Sequence, residues 1–121
     1  MATRVLLVDD TTFMRRMLRE ILGKEGYEIA AEARNGREAV AQYREVRPDL
    51  VVMDITMPEM DGIAAVREIV GYDPDARIVM CSALGQDEPI IEALDAGARD
   101  FIVKPFLPEK VLEAVQKISD F

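Results

Sequence analysis

Val5-Leu-Leu-Val8 running into Asp9-Asp10, and Leu50-Val-Val-Met53 running into Asp54, are the stretches on which the fold turns. Each is a short aliphatic run without polar alternation, stopped by a carboxylate. A strand with one wet face alternates apolar and polar residues, so an uninterrupted apolar run reads as a strand buried on both faces. The segment after each run decides the architecture. After Asp10, Thr11 or Thr12 can cap a helix in which Met14, Met17, Leu18, Ile21 and Leu22 recur at helical spacing, with Gly26 suited to its C-terminal stop. After Asp54, Met57-Pro-Glu-Met-Asp-Gly62 reads as a loop into a helix with Ile63, Val66, Ile69 and Val70 turned inward.

The same alternation fills the rest of the chain. Glu28 to Ala33 is a weaker strand, and Asn35 with Glu38 makes a capping-box-like start to a helix carrying Ala39, Val40, Tyr43 and Val46, ended by Pro48. Arg77-Ile-Val-Met-Cys81 is a fourth strand, followed by Ser82 and a loop through Gly85 into a helix holding Ile90, Ile91 and Leu94 on one side. Asp100-Phe-Ile-Val103 is the last strand, meeting Lys104-Pro105. Pro108 then sits in the first turn of a helix with Val111, Leu112, Val115 and Ile118 on its core face. Five strands alternating with five helices imply a doubly wound α/β fold, because parallel neighbours need helical crossovers.

Composition narrows the function. The 121 residues fit a single domain spanning 1–121, with half of them apolar and 31% charged, which is the balance of a globule rather than a disordered tract. Asp and Glu outnumber Lys and Arg by 23 to 15, and a net charge of −8 repels phosphate backbones and anionic lipid, arguing against nucleic-acid or membrane partners. The absence of His removes imidazole bases, Ser-His-Asp triads and His-ligated zinc. Cys81 is the single cysteine, placed inside a strand as a small buried hydrophobe, and the N-terminus carries no signal-peptide pattern; together these suggest a cytoplasmic protein. Arg15, Arg16 and Arg19 read as a solvated helix face.

In a doubly wound sheet, ligands bind beyond the carboxyl ends of the strands, where strand order reverses. The residues there are Asp9 and Asp10 after the first strand, Asp54 after the third, Ser82 after the fourth and Lys104 after the fifth. If the strand order is 2-1-3-4-5, three carboxylates converge, flanked by a hydroxyl and an ammonium. Carboxylates about 4 Å apart repel by about 4 kcal/mol per pair at an effective dielectric of 20, so the cluster calls for a cation. Hard oxygen ligands without His or Cys suit Mg²⁺ best, because it keeps coordination positions for water or phosphate. A metal, a lysine and a hydroxyl around Asp54 make a phosphoryl pocket with Asp54 as nucleophile. Taken singly, each residue has a plain use as a turn, cap or surface group; taken together, they define one site.

These motifs resemble the receiver domain of two-component response regulators. The likeness spans essentially the whole chain, through Leu7-Val-Asp-Asp10, Asp54-Ile-Thr-Met-Pro-Glu-Met-Asp-Gly62, Cys81-Ser-Ala83, Gly97-Ala98 and Phe101-Ile-Val-Lys-Pro-Phe106. Thr12 to Arg15 and Asp100 to Phe106 are most similar to single-domain chemotaxis regulators. The resemblance implies a flavodoxin-like sheet in the order 2-1-3-4-5 and phosphorylation of Asp54 by a phosphohistidine on a sensor kinase. It implies Mg²⁺ held by Asp10, Asp54 and the Thr56 carbonyl, with Asp9 acting mainly through metal-bound water. Lys104 would contact the phosphoryl oxygens, and Ser82 would move toward them and couple to the rotamer of Phe101. The Lys104-Pro105 bond would be cis, and the output surface would be the fourth helix, fifth strand and fifth helix.

Two positions depart from the commonest pattern. Ser82 stands where threonine is more frequent, keeping the hydroxyl but losing a methyl, and Phe101 stands where many chemotaxis regulators carry tyrosine, so no phenolic hydrogen bond is available. The expected function is a monomeric, phosphorylation-activated switch relaying a chemoreceptor kinase signal to a flagellar motor component, reset by a phosphatase and by its own slow dephosphorylation, without being a turnover enzyme. A stand-alone phosphorelay intermediate is the alternative within the class. A Mg²⁺-dependent aspartyl-phosphate hydrolase is the alternative outside it; Thr56 stands where the haloacid-dehalogenase pattern has a second acid. A flavin or nucleotide carrier fits less well, because Asp9-Asp10 would repel its phosphate.

Overall fold

A computed structural model describes residues 2–105 and 107–119, so Phe106, which ends the last quoted stretch, lies outside it. The elements run β1 (Arg4–Val8), α1 (Thr12–Lys24), β2 (Glu28–Ala33), α2 (Gly36–Val46), β3 (Leu50–Asp54), α3 (Gly62–Tyr72), β4 (Ile78–Ser82), α4 (Asp87–Ala96), β5 (Asp100–Val103) and α5 (Pro108–Ser119). All four strand pairings are parallel and the order is β2-β1-β3-β4-β5, so the direction in which strands are added reverses between β1 and β3, as expected.

The uninterrupted apolar strands divide their side chains between two cores. Leu6, Val8, Met53 and Met80 face α2, α3 and α4, while Val5, Leu7, Val52, Val79, Cys81 and Ile102 face α1 and α5. Each fully buried aliphatic side chain contributes about 1.5–3 kcal/mol, which is why β3 and β4 carry no polar residue before their last position. That last position differs from the sequence expectation. Asp54 and Ser82 are the final residues of β3 and β4 rather than the first beyond them, because the ladder continues through the pairs Asp54↔Cys81 and Ser82↔Val103. β4 accordingly begins at Ile78, not Arg77.

Helix ends follow local chemistry. Thr11 caps α1 by accepting from the Met14 amide, and Gly26, at φ 87°, lets the Tyr27 amide turn back onto the Leu22 carbonyl and its own amide onto that of Gly23. Asn35 caps α2 through the Glu38 amide, but Glu38 reaches back to the Arg34 amide and not to that of Asn35, so the capping box is displaced by one residue. Asp61 caps α3.

Two expectations need correction. Ile91 and Leu94 do not line the core: α4 packs through Ile90 and Ala93, leaving Ile91 59% and Leu94 37% exposed. The small Ala93 lets α4 lie close on that line, and Ile91 and Leu94 are turned away from it. Arg15 is likewise not solvated. Its guanidinium reaches over the end of β1, donating to the Asp9 carbonyl at 2.7 Å and to Glu32 at 3.2 Å, while Arg19 holds the other side of Glu32 at 2.7 Å. Only Arg16 and Arg19 remain on the wet face.

Gly62 fixes where α3 starts relative to the end of β3. Its amide donates to the Ile55 carbonyl at 2.7 Å, and a Cβ there would collide with the backbone oxygen of Asp54. Replacing Gly62 with alanine should therefore cost about 2–3 kcal/mol in a chemical denaturation curve. Gly71→Ala, in the same helix with open space around it, should be neutral or stabilising by up to about 1 kcal/mol.

Candidate functional site

The sheet order brings the carboxyl ends of β1, β3, β4 and β5 side by side, and with them every residue singled out at that edge. Asp9 and Asp54 are buried, Asp10 is exposed, and one carboxylate oxygen from each lies within 4.8 Å of the others. At that separation each pair of ionised groups repels by about 3–4 kcal/mol at an effective dielectric of 20. Lys104 partly compensates. Its ammonium lies 3.0 Å from Asp54 Oδ2 and 3.1 Å from Asp9 Oδ2, bridging β5 to β3 and β1. Three carboxylates and one ammonium still leave a formal charge of −2 in a largely enclosed corner.

The second oxygen of each buried carboxylate accepts from the loops. Asp9 Oδ1 accepts from the Thr11 amide at 2.9 Å and the Thr11 hydroxyl at 3.0 Å, and Asp54 Oδ1 accepts from the Thr56 amide at 3.3 Å. Burial pushes the Asp54 carboxyl above its ordinary value; the hydrogen bond and charge of Lys104 work against that, and Asp9 adds to it. Burial also works against the Lys104 ammonium, but its hydrogen bonds with Asp54 and Asp9 outweigh the penalty and hold its pKa above the usual lysine value. Lys104 thus remains charged at neutral pH.

Ser82 is fully buried, and its hydroxyl is the one buried side-chain polar atom among the described residues with no partner. An orphaned buried hydroxyl is costly, of order 1–3 kcal/mol, and is worth an explanation in function. Beside it, the Lys104 amide donates to the Ser82 carbonyl at 2.7 Å, and Lys104-Pro105 is cis, as expected. Thr56 is exposed at the rim, and Phe101 lies on β5, 38% exposed.

Two contributors had no signal in the sequence. Arg15 anchors the Asp9 carbonyl from a helix that looked polar on that side. Gln86 donates to the Thr56 hydroxyl at 3.0 Å and accepts from the Ala83 amide at 2.6 Å, tying the β3–α3 loop to the β4–α4 loop. Each also bonds a partner on another element, Glu32 for Arg15 and Thr56 for Gln86, where local pattern is silent. Cys81 has no part in the site: it is buried, and burial drives its thiol far above the ordinary range, so it stays protonated.

This donor set fits a hard divalent cation: three carboxylates with oxygen donors only, and one side open to solvent at Asp10. The sheet, the carboxylate corner and the lysine together define a class. Residues 5–116 match the response regulator receiver domain, and the chain belongs to that family. Within it, the protein is closely related to the CheY chemotaxis response regulators. It is 60% identical to the chemotaxis protein CheY of Thermotoga maritima, over 98% of this chain and 99% of that one. It is also 60% identical to that of Bacillus subtilis, over 97% and 98%. Among solved structures, a chain of the CheX-CheY-BeF3-Mg+2 complex from Borrelia burgdorferi superposes with a TM-score of 0.92 at 42% identity, over 96% of this chain and 88% of that one.

The burial shift on Asp54 has a signed consequence in metal-free protein. A carboxyl whose folded pKa is raised destabilises the fold once pH exceeds its unfolded pKa, and the penalty is complete above the folded pKa. Asp54→Asn should therefore raise the thermal midpoint at neutral pH, with the gain fading below about pH 4. Lys104→Met should lower the midpoint at neutral pH, because it leaves Asp9 and Asp54 uncompensated.

Proposed function

We propose that the chain is a single receiver domain acting as a phosphorylation-activated switch in chemotaxis. Asp54 accepts a phosphoryl group from the phosphohistidine of a sensor kinase, in the presence of Mg²⁺. The observation that carries this reading is the Asp54 carboxylate at the tip of β3, lysine-bound and within 4.8 Å of two further carboxylates, beside a buried hydroxyl with nothing to bond. Each feature has a use in phosphoryl transfer. Asp10, Asp54 and the Thr56 carbonyl would hold the cation, with Asp9 acting through metal-bound water, and the cation offsets charge on the phosphoryl oxygens. Lys104 neutralises a further oxygen. The Ser82 hydroxyl gains on phosphorylation the acceptor that it lacks at rest, which draws the end of β4 toward Asp54.

That movement is the signal. Ser82 pairs with Val103, two residues beyond Phe101 on β5, so a shift at the end of β4 is transmitted to the strand carrying Phe101. With no phenolic hydroxyl, Phe101 responds through packing. Ile91, Leu94, Phe101 and Leu107 are exposed on or beside α4, β5 and α5, an apolar surface fit for protein partners. The partners are a chemotaxis-type sensor kinase, a flagellar motor switch protein and a phosphatase; the kinship with CheY proteins supports this choice over a phosphorelay intermediate. Thr56 in place of a second acid argues against a hydrolase with turnover, leaving slow self-dephosphorylation as the only chemistry after transfer. No helix among the described residues is long and apolar enough to cross a membrane. On this reading the protein acts in the cytoplasm as a monomer.

The test is intact mass after incubation with acetyl phosphate and Mg²⁺. An Asp54 oxygen attacks phosphorus, the bond to the acetyl oxygen breaks, and acetate leaves with its electrons. The expected result is one phosphoryl adduct on the parent, absent without Mg²⁺ and absent in Asp54→Asn. Mg²⁺-dependent phosphate release without any adduct would instead favour a hydrolase.

A further inference from the structure

Two backbone N–H groups stand at the rim beside Asp54, just past the ends of β3 and β4, and both are engaged. That of Thr56 donates to Asp54 itself, whereas that of Ala83 donates to the Gln86 side-chain carbonyl at 2.6 Å. The same Gln86 amide spends its N–H on the Thr56 hydroxyl at 3.0 Å. Gln86 occupies the N-cap position of α4, yet makes no side-chain bond to the helix. Its hydrogen bonding is therefore directed across the site and not into α4.

We propose that Gln86 is a positioning residue: its side chain latches the β4–α4 loop to the β3–α3 loop at rest and slows entry of a phosphoryl group at Asp54. The inference rests on the phosphoacceptor reading of Asp54. A phosphoryl group adds three strong acceptor oxygens at a place where the close donors among the described residues are few. They are the Lys104 ammonium, the orphaned Ser82 hydroxyl and the Thr56 and Ala83 amides. The Ala83 amide adjoins Ser82, so the movement that brings the hydroxyl to the phosphoryl group carries this amide with it. Serving an incoming oxygen requires that amide to leave Gln86. The Gln86–Thr56 bond holds the loops in register against that release. The hydrogen bonds of the Gln86 side chain go to the Ala83 amide and the Thr56 hydroxyl and not to Asp54 or Lys104, so it acts on the rate through the loops.

The experiment compares phosphorylation rates from acetyl phosphate at fixed Mg²⁺, by intact-mass time course, for the parent, Gln86→Ala, Thr56→Val and the double variant, with thermal midpoints alongside. Gln86→Ala should be phosphorylated about fivefold faster, the factor expected for one hydrogen bond of ordinary net worth, with its midpoint lowered by no more than the few degrees that one such bond contributes to the resting fold. Thr56→Val should accelerate less, and the double variant should be no faster than Gln86→Ala, since both remove one bridge. A Gln86→Ala rate within about twofold of the parent overturns the latch, as do effects that multiply in the double variant. A fall in midpoint well beyond the worth of one such bond also counts against it, since that is the mark of a loosened α4. A parent that takes no phosphoryl group overturns the reading of Asp54 beneath the proposal instead.

Discussion

Three carboxylates at one edge of a parallel sheet repel one another, and much of the site is an arrangement for tolerating that repulsion. The sheet order makes the crowding unavoidable, because β1 and β3 are adjacent, Asp9 and Asp10 follow β1 directly, and Asp54 ends β3. Burial of Asp9 and Asp54 weakens solvent screening, so the repulsion is felt more strongly than it would be at the surface. Lys104 supplies the only cation bonded to the cluster among the described residues, and it must reach both buried carboxylates from β5 to do so. The unbalanced charge that remains suits the site to a divalent cation and, on the proposed reading, to a phosphoryl group.

The scaffold holds these charges in place by hydrogen bonds whose donors come from other elements. Asp9 is gripped at its carboxylate by Thr11 and Lys104 and at its backbone by Arg15, which is itself fixed by Glu32 on β2. Asp54 is fixed by Lys104 and Thr56, and the chain leaving it is turned within a space that only Gly62 fits. Against this satisfied background, Ser82 is the exception, and its unmet hydroxyl lies where the two central strands end. Asp9 and Asp54 are tied down while the hydroxyl of their neighbour on β4 has no partner, so on the proposed reading a phosphoryl group on Asp54 would act there first.

The strands were the most legible part of the chain because burial on both faces demands aliphatic runs such as Leu50 to Met53, and few other structures do. The site was legible for a related reason: a polar residue stopping such a run, as Asp9, Asp54 and Lys104 do, must sit at a sheet edge. Residues whose role depends on a distant partner were not legible. Arg15 looked solvated because helical periodicity records only its own helix, whereas its partners are Asp9 and Glu32. Gln86 gave no signal, since a glutamine in a loop carries no pattern and Thr56 is thirty residues away. Ile91 and Leu94 misled because an apolar helix face reads as core whether it meets the core or is left for something else. Glu59, at φ 65°, adopts a left-handed backbone normally favoured by glycine or asparagine, and the side chain does not announce it.

The claim beneath this account is that the carboxylates form one electrostatic unit that a divalent cation completes. Thermal unfolding with and without millimolar Mg²⁺, on the parent and on Asp10→Asn, tests it most directly. A cation that binds only the folded cluster must stabilise the fold by RT ln(1 + [Mg²⁺]/Kd), so the parent midpoint should rise with Mg²⁺ concentration and the variant should lose most of the rise. A parent midpoint indifferent to Mg²⁺, or an equal rise in the variant, would contradict it.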